Sequence, residues 1–182
     1  MFSKKIEINL EKPDDIIHLE PISDIHIGHA GFDEEHYKKR IKAISKDKNR
    51  YTFFGGDALD AITTYDKRFN PDMSLEHDID NQRLRWQDMT QPLFDIHAKS
   101  RNEKVWGFFH GNHDYKIPQI SRAYLQNTMC TPNDLTFMGS RGVMGLEVKY
   151  NRKVLAQWSI LFMHGSGGGK PERMMEQMKH NA

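Results

Sequence analysis

The sequence predicts an α/β domain with two sheets packed between helices, and three observations predict it. Short apolar runs at 16–22, 51–54 and 105–109 alternate with helix-patterned segments, the rhythm of strands joined by helices. After Pro132 the texture changes to consecutive strand-like runs at 135–138, 143–150 and 154–162, with turn-prone residues at 139–142 and 150–153. The chain has 182 residues, enough for one domain with a sizeable core and short for two. A single domain over residues 1–182 is therefore expected, with 66–78 as a loop or cap insertion.

Taken in order, residues 4–10 alternate polar and apolar side chains and read as an edge strand. Pro13-Asp14 then turns the chain into a buried strand at 16–22. Asp33 suits the N-cap of a helix reaching about Asn49, with Glu34 and Glu35 in its first turn and Lys46 and Lys48 near its end, as the helix dipole favours. Tyr37, Ile41 and Ile44 recur at helical spacing and should face the core. Residues 51–54 form a second buried strand. The stretch 66–78 is polar and carries Asn70-Pro71, so it reads as a loop. A longer helix is expected at 79–98, with Leu84, Met89, Leu93 and Ile96 inward. A third strand follows at 105–109, then a short helix at 117–127. The three later runs read as antiparallel strands. Residues 171–182 are helix-prone, with Pro171 suited to a first helical position.

Bulk properties narrow the function classes. Charge is balanced, 26 Lys and Arg against 25 Asp and Glu, so attraction to a polyanion has to come from a local cluster. Lys38, Lys39, Arg40 and Lys42, with Lys46, Lys48 and Arg50, form one. It reads as the solvated face of an amphipathic helix before it reads as a nucleic-acid track. Cys130 is the only cysteine, which excludes an internal disulfide and fits a reducing compartment. No window approaches the roughly 20 apolar residues of a membrane span. A cytoplasmic protein without a membrane partner is expected.

Four motifs carry the chemistry: Asp24-Ile25-His26, Gly55-Gly56-Asp57, Gly111-Asn112-His113-Asp114 and Met163-His164-Gly165. Each follows an apolar run and so falls on a loop at a strand end, where distant parts of a chain can meet. Together they offer carboxylate, imidazole and amide oxygen, a ligand mixture suited to divalent metals. Taken singly, Asp24 also reads as a turn carboxylate, Asp57 as a helix N-cap and His164 as a core histidine. Their joint order favours one site. Asp60 reads as a helix-turn carboxylate, and His29 as a loop histidine. Gly165 to Lys170 imitates a phosphate-binding loop, but Pro171 stands where a Ser or Thr is needed.

On Asp24-x-His26, Gly56-Asp57, Gly111-Asn112-His113-Asp114 and the later His164, the chain resembles the calcineurin-like metallophosphoesterases. The resemblance implies a two-sheet β-sandwich flanked by helices. It implies two divalent metal ions, manganese first, with iron, zinc or magnesium compatible. Asp24 and His26 would hold one ion, Asn112 and His164 the other, and Asp57 would bridge them. His113 would protonate the leaving oxygen or stabilise the phosphoryl group, with Asp114 behind it. The implied reaction is two-metal hydrolysis of a phosphoester. A phosphodiester, nucleic acid included, stands ahead of a phosphoprotein. The protein phosphatase branch carries an arginine after the second-block aspartate, whereas Asp60 is followed by Ala61-Ile62. The family's final Gly-His-x-His block has no counterpart. His180, in Lys179-His180-Asn181, lacks the flanking glycine and the second histidine, which leaves each metal one imidazole short. The chain is accordingly expected to be C-terminally incomplete, and the rival reading is a product that binds metal or phosphate without turnover.

Overall fold

Among the residues that the structure describes (2–97, 99, 102–115 and 122–165 of a computed structural model), six strands form two three-stranded sheets. In one, β1 (Phe2–Asn9) runs parallel to β5 (Arg141–Tyr150), which pairs antiparallel with β6 (Lys153–Met163), in the order β1-β5-β6. In the other, β2 (His18–Leu19), β3 (Arg50–Phe54) and β4 (Val105–Phe108) are all parallel, in the order β2-β3-β4. The β5–β6 hairpin turns on Asn151 and Arg152, both left-handed at φ 50° and 66°, the geometry that matches the twist of a two-residue hairpin.

Two helices cover the parallel sheet. Helix α1 (Glu34–Lys46) begins as its sequence dictates: the Asp33 side chain accepts the His36 N–H at 2.9 Å. Its Tyr37, Ile41 and Ile44 are buried. Helix α2 (Ile79–His97) buries Gln82, Trp86, Met89, Thr90 and Leu93 along one stripe. Leu84 lies two residues from both Gln82 and Trp86, hence on the opposite face, and is 52% exposed. Ile96, in the last turn, is exposed as well, so neither of these two residues points inward as expected.

Two other expectations are corrected. The buried strand at 16–22 is an edge: only His18–Leu19 has full strand pairing, and Ile16 is exposed. The N–H groups of His18, Glu20 and Ile22 still reach the carbonyls of Asn49, Tyr51 and Phe53 at 2.9–3.0 Å. Pro21 has no N–H to offer and is tolerated because its side of the strand faces no neighbour. Residues 135–138 make no strand; Phe137 forms a lone bridge to Phe108, and Leu135, Phe137 and Met138 are buried. The short helix expected at 117–127 is seen in its described part, Arg122–Leu125, which runs into a π-helical turn, Gln126–Cys130. Residues 166–182, with the helix expected at 171–182, lie outside the described residues.

The core has two compartments. Between the sheets, Ile6 and Ile8 of β1 and Met144, Leu146 and Val148 of β5 meet Tyr51, Phe53 and Trp106 of the parallel sheet. On that sheet's other face, Phe54, Val105 and Phe108 pack against Ile41, Ile44, Trp86 and Leu93 of the helices. The layers are therefore helices, parallel sheet, mixed sheet. Five of the seven cations in the 38–50 cluster are paired: Lys38 with Glu34, Lys39 with Glu35, Lys48 with Glu11, and Arg40 and Arg50 with Glu20. No helix among the described residues is long and apolar enough to cross a membrane.

Candidate metal centre

All three parallel strands point their carboxyl ends the same way, and the loops leaving them are locked together. After β2 the chain passes through Asp24 and His26, and after β3 through Gly56, Asp57 and Ala61. Four of these are non-glycine residues held left-handed: Asp24 at φ 54°, His26 at 51°, Asp57 at 50° and Ala61 at 54°. Each such residue costs on the order of 1 kcal/mol. Bonds between the loops hold them: Asp24 N–H to Gly56 O at 3.0 Å, His26 N–H to Asp57 O at 3.0 Å, and Asp60 N–H to Ile27 O at 2.9 Å. Glycine lets the β3 and β4 loops touch. A Cβ on Gly111 would sit 2.0 Å from Asp57 Oδ1, and one on Gly56 would sit 2.6 Å from the Gly111 nitrogen.

Asp57 is the hub. Its Oδ1 accepts the His113 N–H at 2.8 Å, while Oδ2 faces His164 Nε2 at 3.2 Å and His26 Nε2 at 4.0 Å. His164 Nδ1 lies 2.8 Å from the Gly55 carbonyl, which can only accept, so that nitrogen carries the proton. Its Nε2 then faces two oxygens, Asp57 Oδ2 and Asn112 Oδ1 (3.3 Å). A lone pair aimed at two oxygens is repelled unless a cation lies between them. A proton on Nε2 meets that need: its hydrogen bond to the Asp57 carboxylate holds His164 up to about 9. Burial opposes the charge on Asp57, but the bonds from His164 and the His113 amide outweigh it, and its pKa is lowered. His26 is raised as well, chiefly by Asp60.

Asp24, His26 and Asp57 offer ligand atoms within 4.8 Å of one another. His164 reaches Asp57 Oδ2 at 3.2 Å, and Asn112 Oδ1 lies 3.3 Å from the same His164 nitrogen. The five residues proposed from sequence as ligands are thus linked around Asp57, with Asp24 exposed and Asp57 2% exposed. His113 stands beside them, its ring edge-on to His26 at 4.4 Å.

Asp114 is placed differently from the expectation. Its Oδ2 accepts two backbone N–H groups, from Asp57 at 2.9 Å and Gly111 at 2.8 Å, and its Oδ1 has no hydrogen-bond partner. Burial pushes this carboxyl up to about 6. It staples the β3 loop to the β4 loop. The His113 ring is oriented by Asp60 instead: Nδ1 lies 2.7 Å from Asp60 O and 3.7 Å from Asp60 Oδ1.

Asp60 is the residue that sequence reasoning set aside. No helix forms at 58–62, and Asp60 is 1% exposed, its Oδ1 without a hydrogen bond inside 3.5 Å but facing His26 Nδ1 at 3.6 Å and His113 Nδ1 at 3.7 Å. It makes a second ligand group with His26 and His113. The signal was available: Asp60 is the one charged residue in Ala58-Leu59-Asp60-Ala61-Ile62, and a carboxylate in an apolar run needs a partner. Arg68 was missed too, and nothing in its polar loop marks it. The buried Asp60 oxygen, set between two imidazoles, and the oxygen-facing His164 nitrogen both fit a cation held among these side chains. Compared with family models, with curated proteins and with solved structures, the chain matches none.

Proposed function

We propose that this chain is a divalent-metal-dependent phosphoesterase of the calcineurin-like metallophosphoesterase type, hydrolysing a phosphodiester, with nucleic acid the substrate class to test. On this reading its two sheets and covering helices are the family's sandwich. One observation carries the reading: the buried Asp57 Oδ2 faces imidazoles from two separate strand ends, at 3.2 and 4.0 Å. A carboxylate so placed suits a bridging ligand. Asp24 and His26 would join it in holding one ion, and Asn112 and His164 in holding the other. Mixed oxygen and imidazole donors suit manganese, and iron, zinc or magnesium as well. Such ions, when bound, supply Lewis-acid charge at the phosphoryl group.

The chain's own residues supply positioning and proton transfer. With Nδ1 of His113 committed to the Asp60 carbonyl, Nε2 is the nitrogen left to face the departing oxygen, to which it would hand a proton as the imidazolium. Asp60 fixes that ring, and Asp114 fixes the two loops on which Asp57 and His113 sit. Ala61 stands where the protein phosphatase branch has its arginine, which favours a diester over a phosphoprotein.

The test is hydrolysis of bis(p-nitrophenyl) phosphate by the full chain with and without manganese. Manganese-stimulated turnover is expected. Asp57→Asn and His113→Ala should each lower kcat/KM by more than about a hundredfold while remaining cooperatively folded. Turnover retained in either variant, or absent from the wild type, contradicts the proposal.

A further inference from the structure

Beside the candidate centre lies a cation carried on a polar loop. Arg68 sits in the 63–75 loop, which is fastened to the loop carrying His26: Ala30 N–H bonds to Met73 O at 2.7 Å and Leu75 N–H to Gly28 O at 2.8 Å. Within the loop, Phe69 packs edge-on against His77, with centroids 4.9 Å apart. Asp66 grips the Arg68 guanidinium from one side, with Nε 2.9 Å from Oδ1 and Nη2 2.6 Å from Oδ2. The Arg68 N–H bonds to the same carboxylate at 2.8 Å. This fork leaves Nη1 pointing away from Asp66, and Nη1 lies 3.4 Å from His113 Nε2. Arg68 and His113 keep 28% and 17% of their side-chain surface exposed, so a ligand can reach both.

A guanidinium anchored by one carboxylate and aimed at a second position is pre-organised for an anion at that position. We propose that Arg68 is a substrate-binding residue whose Nη1 takes a non-bridging oxygen of the phosphoester beside His113. The inference rests on the phosphoesterase reading for the identity of the anion. It adds the group that orients the phosphoryl oxygen and supplies, from a different loop, a guanidinium that the sequence after Asp60 lacks. One guanidinium also matches the single negative charge of a diester.

Calorimetric titration with inorganic phosphate tests this apart from turnover, using the full chain with manganese present. Arg68→Ala should weaken phosphate binding roughly 10- to 100-fold, the worth of one charge-assisted hydrogen bond, with manganese uptake unchanged. In hydrolysis the same variant should raise KM more than it lowers kcat. Arg68→Lys keeps the charge without the fork and should recover part of the loss. Lys67→Ala removes a neighbouring exposed charge and should change binding by no more than about threefold. Phosphate binding by Arg68→Ala that equals the wild type overturns the inference, as does an equal loss in Lys67→Ala. If the wild type takes up no manganese or fails to hydrolyse the diester, the phosphoesterase reading falls. The titration of the metal-free chain still decides Arg68: an Arg68-dependent loss upholds it, and equal binding or no binding overturns it.

Discussion

At the scale of single residues, Asp114 shows how a carboxylate can serve a site without touching its chemistry. Its Oδ2 takes the N–H groups of Asp57 and Gly111, and burial raises its pKa to about 6. The folded state therefore disfavours the charged form relative to an ordinary Asp at 3.8. Stability is lost as pH rises from about 4 through about 6 and does not return above that. Asp114→Asn keeps an acceptor for both N–H groups and removes the buried charge. Without added metal, the variant should gain stability relative to the wild type as pH rises, by on the order of 1–3 kcal/mol at pH 8 against little at pH 4. Urea unfolding at the two pH values measures it, and a pH-independent difference contradicts the assignment. The same geometry explains why the glycine at 111 reads clearly in the sequence and Asp60 does not. Motif residues announce themselves by type and order, whereas Asp60 matters only because Ala61 turns left-handed and seats it between two imidazoles.

At the scale of elements, α2 does more than cover the sheet. Gln82, fully buried, accepts the Ala61 N–H at 3.0 Å through Oε1 and donates to Glu76 O at 2.6 Å through Nε2. The helix thereby holds the strained turn that presents Asp60. Gln82→Ala leaves both backbone groups unpartnered and should cost about 1–3 kcal/mol in urea unfolding, with weaker metal uptake. Unchanged stability would remove the buttress from the account. Elements with local signals were legible from sequence: Asp33 caps α1 where expected, and the apolar runs at β3, β4, β5 and β6 are strands. Where tertiary position decided, the sequence misled. Ile16 looks buried but stands on an edge strand, Leu84 falls on the outer face of α2, and residues 135–138 pack into the core without joining a ladder.

At the scale of the molecule, the parallel sheet fixes three of the strand ends, and the mixed sheet delivers the fourth. β6 runs antiparallel to β5 in a register that pairs Arg141 with Met163, and this leaves His164 over Gly55. Phe162 anchors the approach against Phe53 and Phe109, at centroid distances of 5.0 and 4.5 Å. The ordered motifs made the convergence of these loops readable before any coordinates. The second-layer roles were not readable, because they depend on which backbone N–H lies near which carboxylate. The proposed chemistry requires Asp57 to be shared by two cations, and manganese titration by calorimetry measures whether it is. In two pH 7.5 buffers of different ionisation enthalpy, the chain should take up two ions with a buffer-dependent heat. Metal has to displace the proton that Asp57 holds on His164 up to about 9, so affinity should rise with pH toward that value. Asp57→Asn should abolish this uptake. No manganese uptake by the wild type, or equal uptake by Asp57→Asn, would contradict the account.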